Sequence, residues 1–286
     1  MIKQSYVPFR RVMERGDLVR VAGVHSALGG LLAGEAGFDA VWASSFEISA
    51  ARGLPDASLL TMTEYLEAAA NIQKAIPVPV VADCDTGFGN SMNVAHMVHE
   101  YERAGITAIC IEDKLFPKIN SFAVAEQTLL DMDAFAHKIA TAKAAQSTPG
   151  FYVIARTEAL ISGLGVDEAV RRCRAYAQAG ADAVLVHSKA GTNAEIRRFL
   201  EEWDDLCPVV IVPTTYPDWH ADDIAKAGVS VVIYANQGLR ATVESLRSTF
   251  RSIREQGSSA HLERRIVPVQ EIFTLQRLQE WQEINA

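Results

Sequence analysis

Eight short runs rich in β-branched and other apolar residues recur along this chain: Leu18 to Val24, Ala40 to Ser44, Val78 to Asp83, Ala108 to Glu112, Tyr152 to Arg156, Ala183 to His187, Val209 to Pro213 and Val231 to Ala235. Between most of them lie segments with helical spacing, clearest over Asn93 to Arg103 and Val166 to Gln178. Strand then helix, repeated, is the pattern of parallel strands joined by crossover helices. Eight such strands is the number that closes a (β/α)8 barrel of the TIM type. A partial repeat, EAGFDAVW, RAGITAIC, QAGADAVL and KAGVSVVI, reads each time as a helix end, a glycine stop and a new strand. Gly37, Gly105, Gly180 and Gly228 would supply the left-handed residue that closes the helix. A doubly wound sheet uses the same punctuation, so the repeat supports α/β strongly and closure less so.

A chain of 286 residues with 49% hydrophobic residues can bury one large core, and a single α/β-barrel domain over residues 1–286 is expected. The net charge of −8, with no long basic run, argues against nucleic acid or an anionic membrane as partner and favours a small-molecule substrate. Cys84, Cys110, Cys173 and Cys207 occur singly, mostly in apolar surroundings and without metal-type spacing, as reduced core thiols do. The opening MIKQSYVPFRRVMERGD has no apolar signal region and no later stretch is apolar enough to span a bilayer, so a cytoplasmic protein is expected.

Two segments exceed a plain alternation. Residues 115–132 are long, contain Pro117 and directly follow an acidic strand end, where a loop is placed to act as a lid. In residues 269–285, Ile272, Leu275, Leu278 and Trp281 recur every three residues, which suggests an amphipathic helix beyond the barrel, suited to oligomer contacts.

The chemistry concentrates where strands should end. Asp83 and Asp85 flank Cys84 and would share a side on a regular strand, as a Mg²⁺ site needs; a helix cap or a lysine partner is an equal reading for the pair alone. Glu112 ends the next strand and tips the balance, since it can hold metal-bound water. Gly87 and Gly89 would let backbone approach a ligand, although a glycine pair after a strand is also a common turn. Lys118, Arg156, His187 and Lys189 offer positive or hydrogen-bonding groups; Arg156 stands out because it follows an apolar run and is costly to bury without an anionic partner. Asp56 in RGLPDAS, a loop beyond the second strand, could be a nucleophile toward phosphorus, a base or a helix cap, and spacing alone favours the cap. His25 and His187 each read as hydrogen-bonded core groups, and His96, His99, His137, His220 and His261 as structural.

Taken together, these segments resemble the phosphoenolpyruvate mutase and isocitrate lyase superfamily, most closely its phosphoenolpyruvate mutase branch. The resemblance rests on DCDTGFGN at Asp83 to Asn90, EDKLFPKINS at Glu112 to Ser121, ARTEALISGLG at Ala155 to Gly165, VHSK at Val186 to Lys189, and the late YANQGLRA and VQEIFTLQR. It implies an α/β barrel with a swapped C-terminal helix, a homotetramer built as a dimer of dimers, Mg²⁺, and an α-keto or enol acid substrate. By motif, Asp83 looks like the direct Mg²⁺ ligand, with Asp85 and Glu112 acting through water. Ser44, Ser45 and Phe46 match the turn that meets the substrate carboxylate, and Arg156 and His187 match phosphoryl-side groups. Asp56 matches the residue that receives or steers the phosphoryl group, and Lys118 with Asn120 match the gating loop. The implied reaction interconverts phosphoenolpyruvate and 3-phosphonopyruvate, the first step of phosphonate biosynthesis. Asn120 favours that mutase over phosphonopyruvate hydrolase, whereas FAVAEQ after Ser121 lacks the DGR common in the lid. A carbon-carbon lyase is weaker, because PKINS stands where a catalytic-cysteine motif would; a non-enzymatic scaffold would be expected to lose these acidic positions.

Overall fold

The structure is a computed structural model that describes residues 6–284. It comprises two compact units, which meet in sequence between Asn236 and Gln237. In the first unit the strands β1 (Val19–Val24), β2 (Ala40–Ala43), β3 (Val80–Asp83), β4 (Ala108–Glu112), β5 (Tyr152–Thr157), β6 (Ala183–Val186), β7 (Val209–Ile211) and β8 (Val231–Tyr234) close in sequence order into a barrel. Every pairing is parallel, including β8 back onto β1, and the register sets Glu112 opposite Arg156 on β4 and β5. The helices of this unit are α1 (Phe9–Met13), α2 (Ala27–Glu35), α3 (Ser45–Ala51), α4 (Met62–Ala75), α5 (Ser91–Arg103), α6 (Met132–Ala145), α7 (Val166–Gln178), α8 (Ala194–Glu202) and α9 (Ala221–Lys226). The eight expected strands are all present, shifted by at most two residues at an end.

Side chains alternate faces along a strand, and here the alternation separates two kinds of core. Ala40 and Trp42, Val81, Ala108 and Cys110, Tyr152 and Ile154, Ala183 and Leu185, Val210 and Val212, and Val231 and Ile233 share one buried cluster. Phe9 and Val12 of α1 join it from the end where strands begin, where Phe9 meets Tyr152 edge to face. The intervening residues, such as Val41, Ala82, Ile109, Ile111 and Val153, pack with helix residues including Ile72, Met97, Tyr101 and Phe135. Continuing the inward parity by two residues on β2 to β8 leads to Ser44, Asp83, Glu112, Arg156, His187, Thr214 and Ala235. The barrel interior is therefore apolar through its middle and turns polar at its carboxyl mouth, the end where such barrels keep their sites.

Local signals fix the helix starts. Thr61 and Glu64 form a reciprocal capping box on α4, and Asn90 with Asn93 does the same on α5. The repeat glycines Gly37, Gly105, Gly180 and Gly228 all take positive φ, between 83° and 101°, as the helix-stop reading requires. The segment between β4 and α6 has no helix or strand of its own. Its base is stitched by Leu115 N–H donating to Thr128 O at 3.0 Å and Leu130 N–H donating to Asp113 O at 2.8 Å. Since α6 begins at Met132, the irregular segment spans 115–131, one residue shorter than the stretch expected to form a lid.

The second unit contains α10 (Gln237–Gln256), α11 (Val269–Leu275) and α12 (Leu278–Ile284). The single helix expected over 269–285 is thus two short ones, interrupted at Arg277, which has φ 56°. Apolar residues every three positions drift around a helix of 3.6 residues per turn, and the break resets the stripe. Asn285 lies outside the described residues. Among the described residues no helix is long and apolar enough to cross a membrane.

Candidate active site

The carboxyl mouth of the barrel holds a cavity lined by Ser44, Ser45 and Phe46 after β2, Asp56 and Asp83, Lys118 to Phe122 of the lid in part, and Arg156 and His187. Trp42, Val212, Thr214, Ala235 and Asn236 complete its wall. Eight of these positions, Trp42 and Val212 included, follow from strand parity, and the segment between β4 and α6 supplies the roof.

One side is acidic. Asp83 Oδ2 accepts hydrogen bonds from Ser45 Oγ at 2.8 Å and Ser45 N–H at 3.2 Å, so the backbone of this turn currently serves Asp83. Asp85 sits two residues on in a left-handed turn, φ 48°, and its N–H donates to Asp83 Oδ1 at 3.3 Å. Asp56 is no helix cap, because Thr61 fills that role; its carboxylate instead accepts from Lys118 Nζ at 2.6 Å and Asn120 Nδ2 at 2.8 Å. Asn120 N–H donates to Asp56 O at 2.9 Å, so the lid grips this loop at both backbone and side chain. Lys118 Nζ also lies 3.1 Å from Asp85 Oδ1, placing one ammonium between two carboxylates.

Burial raises the pKa of Asp83, and that of Asp85 to about 7; mutual carboxylate repulsion adds to burial, and Lys118 opposes it. Burial draws the Lys118 ammonium down, but Asp85, Glu112, Asp56 and Asp83 outweigh that and hold it well above the usual lysine value. Asp85 Oδ2 and Glu112 Oε1 are buried without a hydrogen-bond donor, and Asp85 Oδ1 has only the Lys118 ammonium at 3.1 Å. Orphaned carboxylate oxygens beside Asp83 form a hard-oxygen set that a Mg²⁺ ion with its waters would satisfy. Among the described residues no three His, Cys, Asp or Glu side chains are placed to hold a metal ion directly.

The other side is basic and is organised around Glu158. Arg156 Nε donates to Glu158 Oε1 at 2.6 Å and lies 3.2 Å from Glu112 Oε2, while its NH2 donates to Ser121 Oγ at 3.2 Å. His187 Nδ1 is 2.9 Å from Glu158 Oε1 and 2.8 Å from Arg156 NH2. Burial lowers the His187 pKa and Arg156 lowers it further, against Glu158. Phe122 of the lid packs edge to face on the His187 ring, centroids 5.6 Å apart.

Gly87 and Gly89 fit the turn reading, with φ 83° and 146°, and their neighbours leave no room for a side chain: a Cβ at Gly87 would lie 2.6 Å from Val94 Cγ2, and one at Gly89 2.3 Å from Asn93 Oδ1. Other expectations need correction. Lys189 is exposed and lies outside the cavity, on a separate groove with Glu126 and Gln127. The anionic partners that Arg156 needs are protein carboxylates already in place. His25 pairs with the buried Glu47, and His220 accepts at the start of α9, both structural as expected. Cys84, Cys110 and Cys173 are buried free thiols and Cys207 is half-buried. Sequence reasoning missed Glu158, Lys114 and Phe122; Glu158 stands one inward step beyond Arg156 on the same strand parity, a signal that was available.

A closed parallel barrel with buried carboxylates, a lysine and an arginine at its carboxyl mouth under a polar lid has the organisation of an enzyme for a small anionic substrate. Comparison with known proteins agrees. Residues 9–254 match the family model described as phosphoenolpyruvate phosphomutase. The phosphonopyruvate hydrolase of Variovorax sp. (strain Pal2) is 44% identical over 269 residues, 93% of each chain. The crystal structure of phosphoenolpyruvate phosphomutase from Streptomyces platensis subsp. rosaceus superposes with a TM-score of 0.95 at 50% identity, covering 96% of both chains. A phosphonopyruvate hydrolase in complex with oxalate and Mg²⁺ gives 0.92 at 42% identity, again covering 96% of both. The chain belongs to the phosphoenolpyruvate mutase family of the phosphoenolpyruvate mutase/isocitrate lyase superfamily.

Proposed function

We propose that this enzyme interconverts phosphoenolpyruvate and 3-phosphonopyruvate. The observation that carries the reading is the bridge of Asn120 and Lys118 onto Asp56, which brings the lid down onto the carboxylate nearest the phosphoryl path. In the forward direction the C2–O–P linkage breaks at phosphorus and a C3–P bond forms, so the pyruvate fragment gains a ketone and no proton is exchanged overall. Asp56 faces the phosphoryl group, either receiving it covalently or steering it between the two ends of the enolate. Arg156 and His187 hold the phosphoryl oxygens, and Lys118 offsets the charge that gathers as the group moves. Ser44, Ser45 and Phe46 seat the carboxylate end. Asp83, with Asp85 and Glu112 through water, would hold Mg²⁺, as a relative's complex with oxalate and Mg²⁺ suggests. Bound there, Mg²⁺ supplies Lewis-acid stabilisation of the enolate oxygen. The closed lid keeps water from the phosphoryl group, which otherwise gives pyruvate and phosphate.

Phosphonopyruvate hydrolysis is the second reading, supported by the 44% identical hydrolase. The apolar stripe of α10 formed by Val243, Leu246, Phe250 and Ile253 is exposed, which supports use of the second unit between copies of the chain. Phosphorus NMR of the purified protein with Mg²⁺ and phosphonopyruvate tests the reading. Phosphoenolpyruvate is the expected product, absent with EDTA and reduced by at least about a thousandfold in Asp56→Asn. Inorganic phosphate as the sole product would overturn the mutase in favour of the hydrolase.

A further inference from the structure

Glu158 does not line the cavity, yet it touches Arg156 and His187, which do, and Lys114 behind them. It is completely buried. Its Oε1 accepts from Arg156 Nε at 2.6 Å and lies 2.9 Å from His187 Nδ1, two groups of the barrel wall. Its Oε2 accepts from Ser121 Oγ at 2.5 Å and lies 3.3 Å from Lys114 Nζ. Ser121 belongs to the lid, and Lys114 at the lid's base donates in turn to Ser121 Oγ and Ile119 O. One carboxylate thus has one oxygen committed to the wall and the other to the lid.

The carboxylate cannot follow either set freely, because its backbone is pinned. Glu158 N–H donates to Asp113 Oδ1 at 2.8 Å, and Asp113, itself fully buried, is held by Thr157, Tyr176 and Arg172. Lid opening would take the Ser121 hydroxyl away from both Glu158 and Arg156, leaving a buried carboxylate oxygen short of a donor. His187 adds a second link. Its Nδ1 lies within reach of a donor, Arg156 NH2, and an acceptor, Glu158 Oε1, and a neutral imidazole nitrogen can serve only one of them. The choice decides whether Nε2 offers the cavity a proton or a lone pair.

We propose that Glu158 is a positioning residue that couples closure of the 115–131 lid to the arrangement of Arg156 and His187. The inference rests on the mutase reading only for the identity of the anion those two groups receive. When the lid is closed, Ser121 and Lys114 fix the carboxylate, which then fixes the guanidinium and the imidazole. When the lid is open, the wall groups lose that restraint, so a competent phosphoryl site exists only where water is excluded.

The test uses Glu158→Gln, Ser121→Ala and the double variant in the full-length protein. Hydrogen exchange over residues 115–131 is measured without substrate, and turnover of phosphonopyruvate with Mg²⁺ is measured alongside. Glu158→Gln and Ser121→Ala should each speed lid exchange by about tenfold, and the double variant should be no faster than Glu158→Gln by more than about twofold. Glu158→Gln should lower kcat by roughly 10- to 100-fold with a smaller change in KM, and raise the share of inorganic phosphate among products. Glu158→Asp keeps the charge and provides a folded control should the glutamine variant not fold; its shortened reach should give an intermediate effect on both readouts. Lid exchange and kcat both within about twofold of the parent in Glu158→Gln, or fully additive exchange effects in the double variant, would overturn the coupling. Should the parent protein release only phosphate, the mutase reading fails while the exchange arm still decides the role of Glu158.

Discussion

Charge burial at single residues organises this site. Glu158, Lys118, Asp83 and Asp85 are buried and the Arg156 side chain is only 13% exposed, an arrangement tolerable only because each meets an opposite charge or a donor. His187 shows the consequence for stability. Its folded pKa is held below the ordinary value of 6.5, mainly by burial. A depressed value means that the unfolded chain takes up the proton first, so this contribution to stability is complete above pH 6.5 and is lost as pH falls through the folded value. Urea unfolding of His187→Asn should therefore depend less steeply on pH below 6.5 than the parent; an unchanged slope would remove His187 from the acid sensitivity. Asp83, Glu112 and Arg156 were legible as charged groups at strand ends on one inward parity, whereas Ser44 came from the family resemblance and His187 read locally as a core group. Asp56 was not legible, because a loop carboxylate looks like a cap until its partners are seen. Lys118 and Asn120 came from the family resemblance, as nothing in local spacing shows that a lid folds back onto Asp56.

At the scale of elements, the lid and the helix starts behave differently. The lid has no repeating backbone pattern and is held through Asp56, Ser58 and Glu158, so its closed form depends on contacts far apart in sequence. Asn120→Ala removes the side-chain bond to Asp56 but not the fold, and should lower mutase turnover by roughly 10- to 100-fold while Tm stays within a few degrees. Unchanged turnover would take Asn120 out of the mechanism. The start of α4 is local, and Thr61→Ala should cost about 1 kcal/mol through loss of the reciprocal cap, measurable by denaturant unfolding. The helices expected over Asn93 to Arg103 and Val166 to Gln178, and the eight strands, match the structure within two residues at each end. The continuous helix expected over 269–285 does not, because an arginine at positive φ gives no warning in its sequence.

For the whole molecule, closure of the barrel is the property that places acidic and basic groups around one space. The alternating pattern indicated the eight strands, but only the pairing of β8 with β1 distinguishes a barrel from an open sheet, and that is a long-range fact. If the buried carboxylate oxygens without a donor take Mg²⁺ as proposed, Mg²⁺ with oxalate should raise Tm by several degrees in the parent and leave Asp83→Ala unmoved. A shift of equal size in the variant would place the ion elsewhere. The central claim is that the phosphoryl group passes between oxygen and carbon within a cavity closed to water. Turnover of phosphonopyruvate with Mg²⁺ in ¹⁸O-labelled water, followed by the isotope shift in the phosphorus NMR spectrum, tests it most directly. Phosphoenolpyruvate free of ¹⁸O in its phosphoryl group is the expected result, and inorganic phosphate carrying one ¹⁸O would contradict it.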